Sequence, residues 1–244
     1  MYEKGRIYSY KEQRHQRYRL LKFLLGFVVF FILYNCLVTF FISVWKLDNN
    51  TMQPGLSSGD RLIFSSFTLP AWITQKKPEE RPLPFKRGNI VLVDMGNVKE
   101  RKAPLRIIDS MVRFFTAQSI SIFSLSNEGQ YYIKRVIALP GDEIYMSNFV
   151  FRVKPSGSSY SLTEFELSVK PYHPDIPQTP EIWDESIPFS GSMDVIVLGP
   201  DECFVVSDDR SNTNDSRTWG PVSPSLITAK AVLRFWPLVK ISLL

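Results

Sequence analysis

The stretch YYIKRVIALPGD, residues 131–142, places a lysine inside a β-forming run that ends in a turn. Tyr, Ile and Val are typical of strands, and Pro-Gly-Asp is typical of turns. Because side chains alternate across a strand, Lys134 is predicted to share a face with Tyr132, Val136 and Ala138. An amine on such an apolar face loses hydration, which lowers its pKa from about 10.4. The alternative is a lysine that extends past the sheet edge into water.

Similar runs elsewhere predict a mainly β domain over residues 46–244. They are rich in β-branched and aromatic residues and are separated by glycine and proline. The predicted strands are Ile90–Val93, Tyr131–Leu139, Val195–Leu198 and Cys203–Val206. Two proline-rich stretches, Pro70–Pro84 and Pro171–Pro180, are predicted to be surface loops because proline has no N–H to donate within a central strand.

Residues 105–123 have a different pattern, with apolar side chains at helical spacing and arginines between them. This pattern predicts a helix inserted into the β domain. Two interpretations stay open: a helix packed on the sheet, or an amphipathic helix lying on the membrane surface.

Residues 23–45 form a run of 23 residues without a charged side chain. A helix of this length, at about 1.5 Å per residue, spans a hydrocarbon core of about 30 Å. The alternative is a cleaved secretory signal, which has a shorter apolar region and a small-residue cleavage site. This run instead ends in Val44, Trp45 and Lys46. We therefore predict an uncleaved transmembrane anchor over Phe23–Trp45.

The net charge of +5, from 29 basic and 24 acidic side chains, lies wholly in residues 1–22. This tail has seven basic and two acidic residues, and the rest of the chain is neutral. A basic nucleic-acid-binding domain is therefore excluded. Basic flanks stay on the cytoplasmic side of a membrane. We predict a single-pass protein of the cytoplasmic (inner) membrane, with a cytoplasmic tail at 1–22 that contacts the lipid bilayer and an extracytoplasmic domain at 46–244.

The histidines and cysteines exclude several kinds of chemistry. The two histidines, His15 and His173, are too few for most zinc hydrolases, and no HExxH motif occurs, so neither a metal nor a cofactor is predicted. Cys36 lies in the predicted anchor and Cys203 in an apolar run. No disulfide is therefore expected, and Cys203 is predicted to be a buried, small apolar residue.

Two further segments have polar patterns that favour catalysis: residues 49–54 read NNTMQP, and residues 208–220 read DDRSNTNDSRTWG. Taken singly, each is compatible with an ordinary turn or loop. A hydroxyl nucleophile, however, needs a base. His15 is expected on the opposite side of the membrane, and His173 lies in a proline-rich loop, whereas a neutral lysine is a known substitute for histidine.

The three segments follow a predicted N-terminal anchor in the chain order 49–54, 131–142 and 208–220. In this order they resemble the motifs of the type I signal peptidases. That family has Ser-Met-x-Pro near the membrane, then Lys-Arg-Val-x-Gly-Leu-Pro-Gly-Asp, then Gly-Asp-Asn-Arg-x-Asn-Ser-x-Asp-Ser-Arg-x-Trp-Gly. The closing RFWP at 234–237 is also similar to the family's end. The resemblance covers residues 49–64, 88–93, 131–142 and 203–237. It implies an endopeptidase that removes N-terminal signal peptides from exported preproteins.

The resemblance implies catalytic roles for three residues. Thr51 matches the nucleophile, and Lys134 matches the general base. The backbone N–H of Thr51 and the side chain of Asn49 match the donors that hold the oxyanion.

Supporting roles follow in the same way. Thr213 matches the serine that orients the base lysine. Asp215 and Arg217 match a supporting ion pair, for which a simple loop brace is the alternative. Met52 and Pro54 fix the alignment of the first motif.

The sequence departs from the family's pattern at the nucleophile. Thr51 stands where the family has serine, and its methyl group restricts χ1 and crowds the attack path. Gly55, Ala138, Ser207 and Asp209 replace the usual Thr, Gly, Gly and Asn, and Ser207 is expected to narrow the catalytic face. Two hypotheses follow: an active endopeptidase, or a catalytically weak homologue that binds signal peptides or partner proteins without cutting.

Overall fold

The computed structural model describes residues 10–40, 42–66, 83–96, 131–178 and 191–244. The chain divides into two compact units, Met1–Thr39 and Phe40–Leu244, and each is described by itself. The segment predicted as a helix at 105–123 and most of the loop predicted at Pro70–Pro84 lie outside the described residues.

The first unit is built on the helix α1, Tyr10–Phe40. Most of its apolar side chains between Phe23 and Leu33 are exposed. In the ranges that the structure describes, no helix has both the length and the apolar character needed to cross a membrane. The anchor therefore stays a prediction from the sequence.

The predicted end of the anchor is wrong. Residues predicted to be helical up to Trp45 include the strand β1, Ile42–Lys46, which pairs antiparallel with β2, Arg61–Ser66. The Trp45 ring packs against that of Tyr131, with 4.8 Å between centroids. Strand pairing supplies backbone partners here, and β-branched and aromatic side chains favour it. A charge-free composition does not distinguish such a strand from the end of a helix.

The second unit contains a seven-stranded sheet in which all neighbours are antiparallel. Besides β1 and β2 it contains β3 (Ile90–Asp94), β4 (Tyr131–Ala138), β9 (Phe204–Val206), β10 (Ile227–Trp236) and β11 (Ser242–Leu243). The order is β1–β2–β10–β3–β4–β9, and β11 pairs with β10. β4 therefore lies between β3 and β9.

A four-stranded sheet is formed by β5 (Glu143–Ser147), β6 (Val150–Lys154), β7 (Leu162–Thr163) and β8 (Met193–Val197), in the order β7–β6–β5–β8. The short helix α2, Glu164–Leu167, begins directly after β7 and is stabilised by a capping box between Thr163 and Glu166. The turn at residues 139–142 connects the two sheets, so it is not a hairpin between paired strands.

The larger sheet separates two apolar clusters, and this explains why β3 is buried on both faces. Ile90 and Leu92 pack into one cluster, and Val91 and Val93 into the other. β4 alternates in the same way, with Ile133 on the first side and both Tyr132 and Val136 on the second. A third cluster covers the smaller sheet. Lys134 therefore lies between two residues of an apolar face.

The mainly β prediction is confirmed, and the four predicted strands correspond to β3, β4, β8 and β9 at nearly the same bounds. The strands β2, β5, β6 and β10 were not predicted from the sequence. In β5 and β6 alternate side chains are buried, which is the pattern of a half-buried strand rather than of a continuous apolar run. The described part of Pro171–Pro180 contains no helix or strand. Cys203 is a buried free thiol, as predicted, and burial raises its pKa to about 12.

Candidate active site

Lys134 lies in the middle of β4, opposite Val91 of β3, with only 1% of its surface exposed. Its Nζ lies 6.0 Å from the ring centroid of Tyr132 and 5.6 Å from that of Trp219. The amine donates one hydrogen bond of 2.7 Å to Oγ of Ser207. The shared face with Tyr132 and Val136 is as predicted, whereas a register shift between Val136 and Ala138 places Ala138 in a different cluster.

Burial lowers the pKa of Lys134 from 10.5 to about 8. Three neighbouring carboxylates raise this pKa and Arg217 lowers it, but the loss of hydration outweighs them. At pH 7 the shift increases the neutral fraction of the amine about 300-fold. A neutral amine is able to take a proton from a hydroxyl, so Lys134 is a candidate general base near neutral pH.

Thr51 lies in the turn between β1 and β2 and is 9% exposed. Its Oγ1 donates a hydrogen bond of 2.8 Å to Oδ1 of Asn49, and its carbonyl accepts one of 3.0 Å from the N–H of Asp209. Met52 is fully buried in the core, and its carbonyl accepts from the N–H of Leu56. The core therefore holds this turn in place.

One loop segment, residues 207–209, contacts both the predicted nucleophile and the predicted base. Ser207 contacts the amine of Lys134, and Asp209, two residues later, holds the backbone of Thr51. Among the hydrogen bonds of the described residues, none joins Oγ1 of Thr51 to Nζ of Lys134. The hydroxyl is instead directed to Asn49 in this structure.

Asn49 is exposed and presents its carbonyl oxygen to Thr51. The same Oδ1 accepts a long hydrogen bond of 3.4 Å from the Thr51 N–H. An oxyanion needs donors rather than acceptors. The two groups predicted to form the oxyanion hole thus bind each other here, and Nδ2 of Asn49 has to turn inward to serve as a donor.

No hydrogen bond among the residues that the structure describes joins the hydroxyl of Thr213 to Nζ of Lys134. The carbonyl of Thr213 accepts from the Asp215 N–H and the Thr218 hydroxyl. The hydroxyl that accepts a hydrogen bond from Nζ of Lys134 belongs to Ser207. At this position the resemblance to the family predicts a glycine. From the sequence, Ser207 was predicted only to narrow the site. Its position directly after the buried strand β9, which pairs with β4, was the signal that it reaches the lysine.

Asp215 and Arg217 form a buried ion pair of 2.8 Å. Burial on its own raises the pKa of Asp215, but hydrogen bonds from Arg217 and from two backbone N–H groups hold that pKa below its usual value. Asp215 also caps the short helix α3, Ser216–Trp219. The guanidinium of Arg217 donates to the carbonyls of Arg210 and Asn212, so the pair braces the loop.

A second group of buried charges lies behind this loop and was not predicted from the sequence. Arg135 forms a two-pronged ion pair with Asp208, at 2.7 and 2.6 Å, and stacks on the ring of Tyr172 at 3.8 Å. Glu164 of α2 accepts hydrogen bonds from both Tyr172 and Arg210. Nothing in local sequence spacing links Glu164 to Arg210, which is 46 residues away.

The described residues contain no group of three His, Cys, Asp or Glu side chains able to hold a metal ion. The arrangement instead provides a buried base, a hydroxyl on a rigid turn and a loop fixed by ion pairs. These parts suit acyl transfer through a hydroxyl nucleophile.

Comparison with known proteins places these parts in a family. The family model described as signal peptidase, peptidase S26, matches residues 20–236. Signal peptidase I P of Bacillus subtilis subsp. natto is 23% identical over 233 residues, covering 95% of this chain and 97% of the relative. Probable signal peptidase I-2 of Synechocystis sp. is 24% identical over 206 residues, covering 84% of this chain and 68% of the relative. The matched range includes every site residue described above, and the chain belongs to the signal peptidase family, peptidase S26.

Proposed function

We propose that this chain is a membrane-bound endopeptidase that cleaves N-terminal signal peptides from exported preproteins, with Thr51 as nucleophile and Lys134 as general base. The observation that carries the proposal is the buried amine of Lys134, beside the loop segment that also holds Thr51. Burying an amine costs stability. A protein that only binds peptides has no need for such a base, and family membership supports peptide cleavage.

In the acylation step, Oγ1 of Thr51 attacks the carbonyl carbon of the scissile peptide while its proton moves to the neutral Nζ of Lys134. The carbonyl π electrons move to oxygen, and the Thr51 N–H and the amide of Asn49 donate to this oxyanion. The oxyanion then collapses and the C–N bond breaks. The leaving amine takes the proton from the Lys134 ammonium, and an ester remains on Thr51.

In the second step, water attacks this ester. Its proton moves to the neutral Lys134 amine, the C–O bond to Thr51 breaks, and the ammonium returns a proton to Oγ1. The products are the signal peptide with a new carboxylate and the mature protein with a new amine. Both steps start from neutral Lys134, so the rate follows the neutral fraction of this group.

The peptide substrate is proposed to bind as an additional strand. β9 pairs with β4 only from Arg135 onward, so in the described chain no strand pairs with Tyr132 and Ile133 on that side. An extended peptide there forms backbone hydrogen bonds next to Lys134. By resemblance to the family, small side chains occupy the first and third positions before the cut.

The membrane location is part of the proposal. The charge-free run over residues 23–40 and the basic tail at 1–22 support an anchor with a cytoplasmic N-terminus. Residues 46–244 then face the extracytoplasmic side, where signal peptides emerge, and the lipid bilayer is a partner of the anchor. Protease protection of N- and C-terminal tags in membrane vesicles tests this orientation.

A second candidate function is favoured by one observation. The Thr51 hydroxyl is bound to Asn49 rather than to Lys134, and its extra methyl group restricts rotation toward the base. A displacement of about 1 Å from the productive position costs on the order of 100-fold in rate. The alternative is therefore a catalytically weak homologue that binds signal peptides or partner proteins.

One experiment separates the two functions: incubation of the detergent-solubilised protein with a preprotein that has an Ala-x-Ala site. The first function predicts cleavage that is lost in Thr51→Ala and Lys134→Ala, raised in Thr51→Ser and retained in Lys154→Ala, which changes a partly exposed lysine. Equal cleavage by wild type and Thr51→Ala removes Thr51 as the nucleophile. No cleavage by wild type with full activity in Thr51→Ser supports the weak homologue.

A further inference from the structure

We infer that Ser207 is the positioning residue for the base amine and takes the place of Thr213; the inference rests on the proposed role of Lys134. Ser207 follows β9 directly and is fully buried. Its Oγ lies 2.7 Å from Nζ of Lys134. Within the described part of the chain, this is the hydrogen bond that the amine makes.

The backbone of Ser207 is fixed on both sides, so its hydroxyl has a defined place. The Ser207 N–H donates to Oδ2 of Asp215 at 2.8 Å. Its carbonyl accepts from the guanidinium of Arg210 at 3.3 Å. Asp215 is in turn held by Arg217. The ion pair therefore acts on Lys134 through Ser207 as well as through its charge.

This hydrogen bond fixes the rotation of the amine. A neutral amine has two N–H groups and one lone pair, and the rings of Tyr132 and Trp219 restrict the end of the Lys134 side chain. When one N–H is donated to Ser207, the lone pair has few remaining directions. The backbone of Thr51 is bound two residues further along, by the N–H of Asp209, so one short segment contacts both the lysine and the proposed nucleophile.

The burial of Ser207 decides against a role as an alternative nucleophile. A hydroxyl bound to a neutral lysine has the chemistry of a nucleophile. The Ser207 side chain, however, has no exposed surface, so a substrate carbonyl cannot reach it. Thr51, in contrast, is 9% exposed. Ser207 therefore acts through Lys134 and not on the substrate.

The hydroxyl also affects the titration of the amine. An ammonium donates a stronger hydrogen bond than a neutral amine does, so Ser207 favours the protonated form. Loss of this acceptor should lower the pKa of Lys134 by about 0.5–1 unit. The other charged and titratable groups that face the amine remain in every variant; they are Tyr132, Asp208, Asp209, Asp215 and Arg217.

The first test measures the pKa of Lys134 directly and does not depend on cleavage of a substrate. The full chain in detergent micelles is labelled with 13Cε-lysine and titrated by NMR, and the Lys134 signal is assigned with Lys134→Arg. Two variants should lower the pKa of Lys134: Ser207→Ala and Ser207→Gly. The second introduces the residue that the family pattern has at this position. Ser211→Ala removes an exposed hydroxyl from the same loop and should leave this pKa unchanged. An unchanged pKa in both Ser207 variants, or a shift caused by Thr213→Val instead, overturns the inference.

The second test separates positioning from substrate binding. With a cleaved preprotein, Ser207→Ala should lower kcat about 10- to 100-fold and leave KM nearly unchanged. A change in KM alone contradicts a positioning role. If the wild type cuts nothing, the proposed function fails, while the titration still decides whether Ser207 orients Lys134.

Discussion

Replacing Lys134 with methionine should make the protein more stable at neutral pH, although it removes the proposed base. Methionine has a similar length and no charge, so it fills the space between the Tyr132 and Trp219 rings without a cost of dehydration. The wild-type amine must either stay charged in an apolar environment or lose a proton on folding. Both routes reduce the free energy of unfolding.

The magnitude follows from the pKa change of Lys134 from 10.5 to about 8. At 1.36 kcal/mol per unit, the shift corresponds to a cost of about 3 kcal/mol. Because the folded-state pKa is the lower one, this cost is complete below about pH 8 and is lost as the pH rises to about 10.5. The lost hydrogen bond to Ser207 offsets about 1 kcal/mol of the gain. The expected net gain at pH 7 is about 2 kcal/mol.

Thermal unfolding of the full chain in detergent at pH 7 and at pH 10.5 measures this difference. A gain of about 2 kcal/mol raises Tm by about 4–8 °C in a domain of this size. The difference from wild type should disappear or change sign at the higher pH. Lys154→Met, which removes the partly exposed ion pair with Glu143, is the control and should show no such pH dependence. A Lys134→Met protein that is less stable than wild type at pH 7, or equally changed at both pH values, refutes the reasoning.

Three further predictions concern the base, the ion-pair network and one turn. The rate kcat/KM for a preprotein should rise with pH along a limb centred near 8, because the neutral form of Lys134 is the reactive one; a pH-independent rate from 6 to 9 contradicts this. Glu164→Gln should lower the free energy of unfolding, measured in urea, by about 3 kcal/mol, because it leaves the buried guanidinium of Arg210 without its counter-charge. Glu166→Gln, at an exposed position of the same helix, is the control. Equal effects of the two substitutions contradict the reasoning. Gly88→Ala should lower Tm more than Gly59→Ala; both have positive φ, but only at Gly88 does the added methyl group meet a side chain, at 2.0 Å.

The core of the site was predictable because two properties of its residues are local. The alternation in β4 indicates that Lys134 faces apolar neighbours, and the structure shows its side chain buried beside Tyr132. The motif at residues 49–54 indicates a rigid turn carrying a hydroxyl. These properties depend on sequence spacing and side-chain chemistry, which are visible in the chain itself.

The partner of the lysine was not predictable from motif position alone. The motif assigns that hydroxyl to position 213, yet the bond to Nζ comes from Ser207, six positions earlier. The outcome depends on how far each hydroxyl lies from β4. Ser207 directly extends a strand paired with β4, whereas Thr213 lies in the loop that Arg217 braces. A motif records which residues occur, but the sheet register decides which one reaches the amine.

The buried ion pairs around this loop are better explained by positioning than by stability. Such pairs often contribute no more than well-packed apolar residues, because taking two charges out of water is costly. In the Arg135–Asp208 pair, however, Asp208 is the residue between Ser207, which contacts Lys134, and Asp209, which binds the backbone of Thr51. A proton transfer needs its donor and acceptor placed to within about 1 Å, and apolar contacts alone do not fix a loop so narrowly. Directional charged hydrogen bonds supply this constraint, so we expect α2, through the ion pair of Glu164 with Arg210, to help position the proposed catalytic loop.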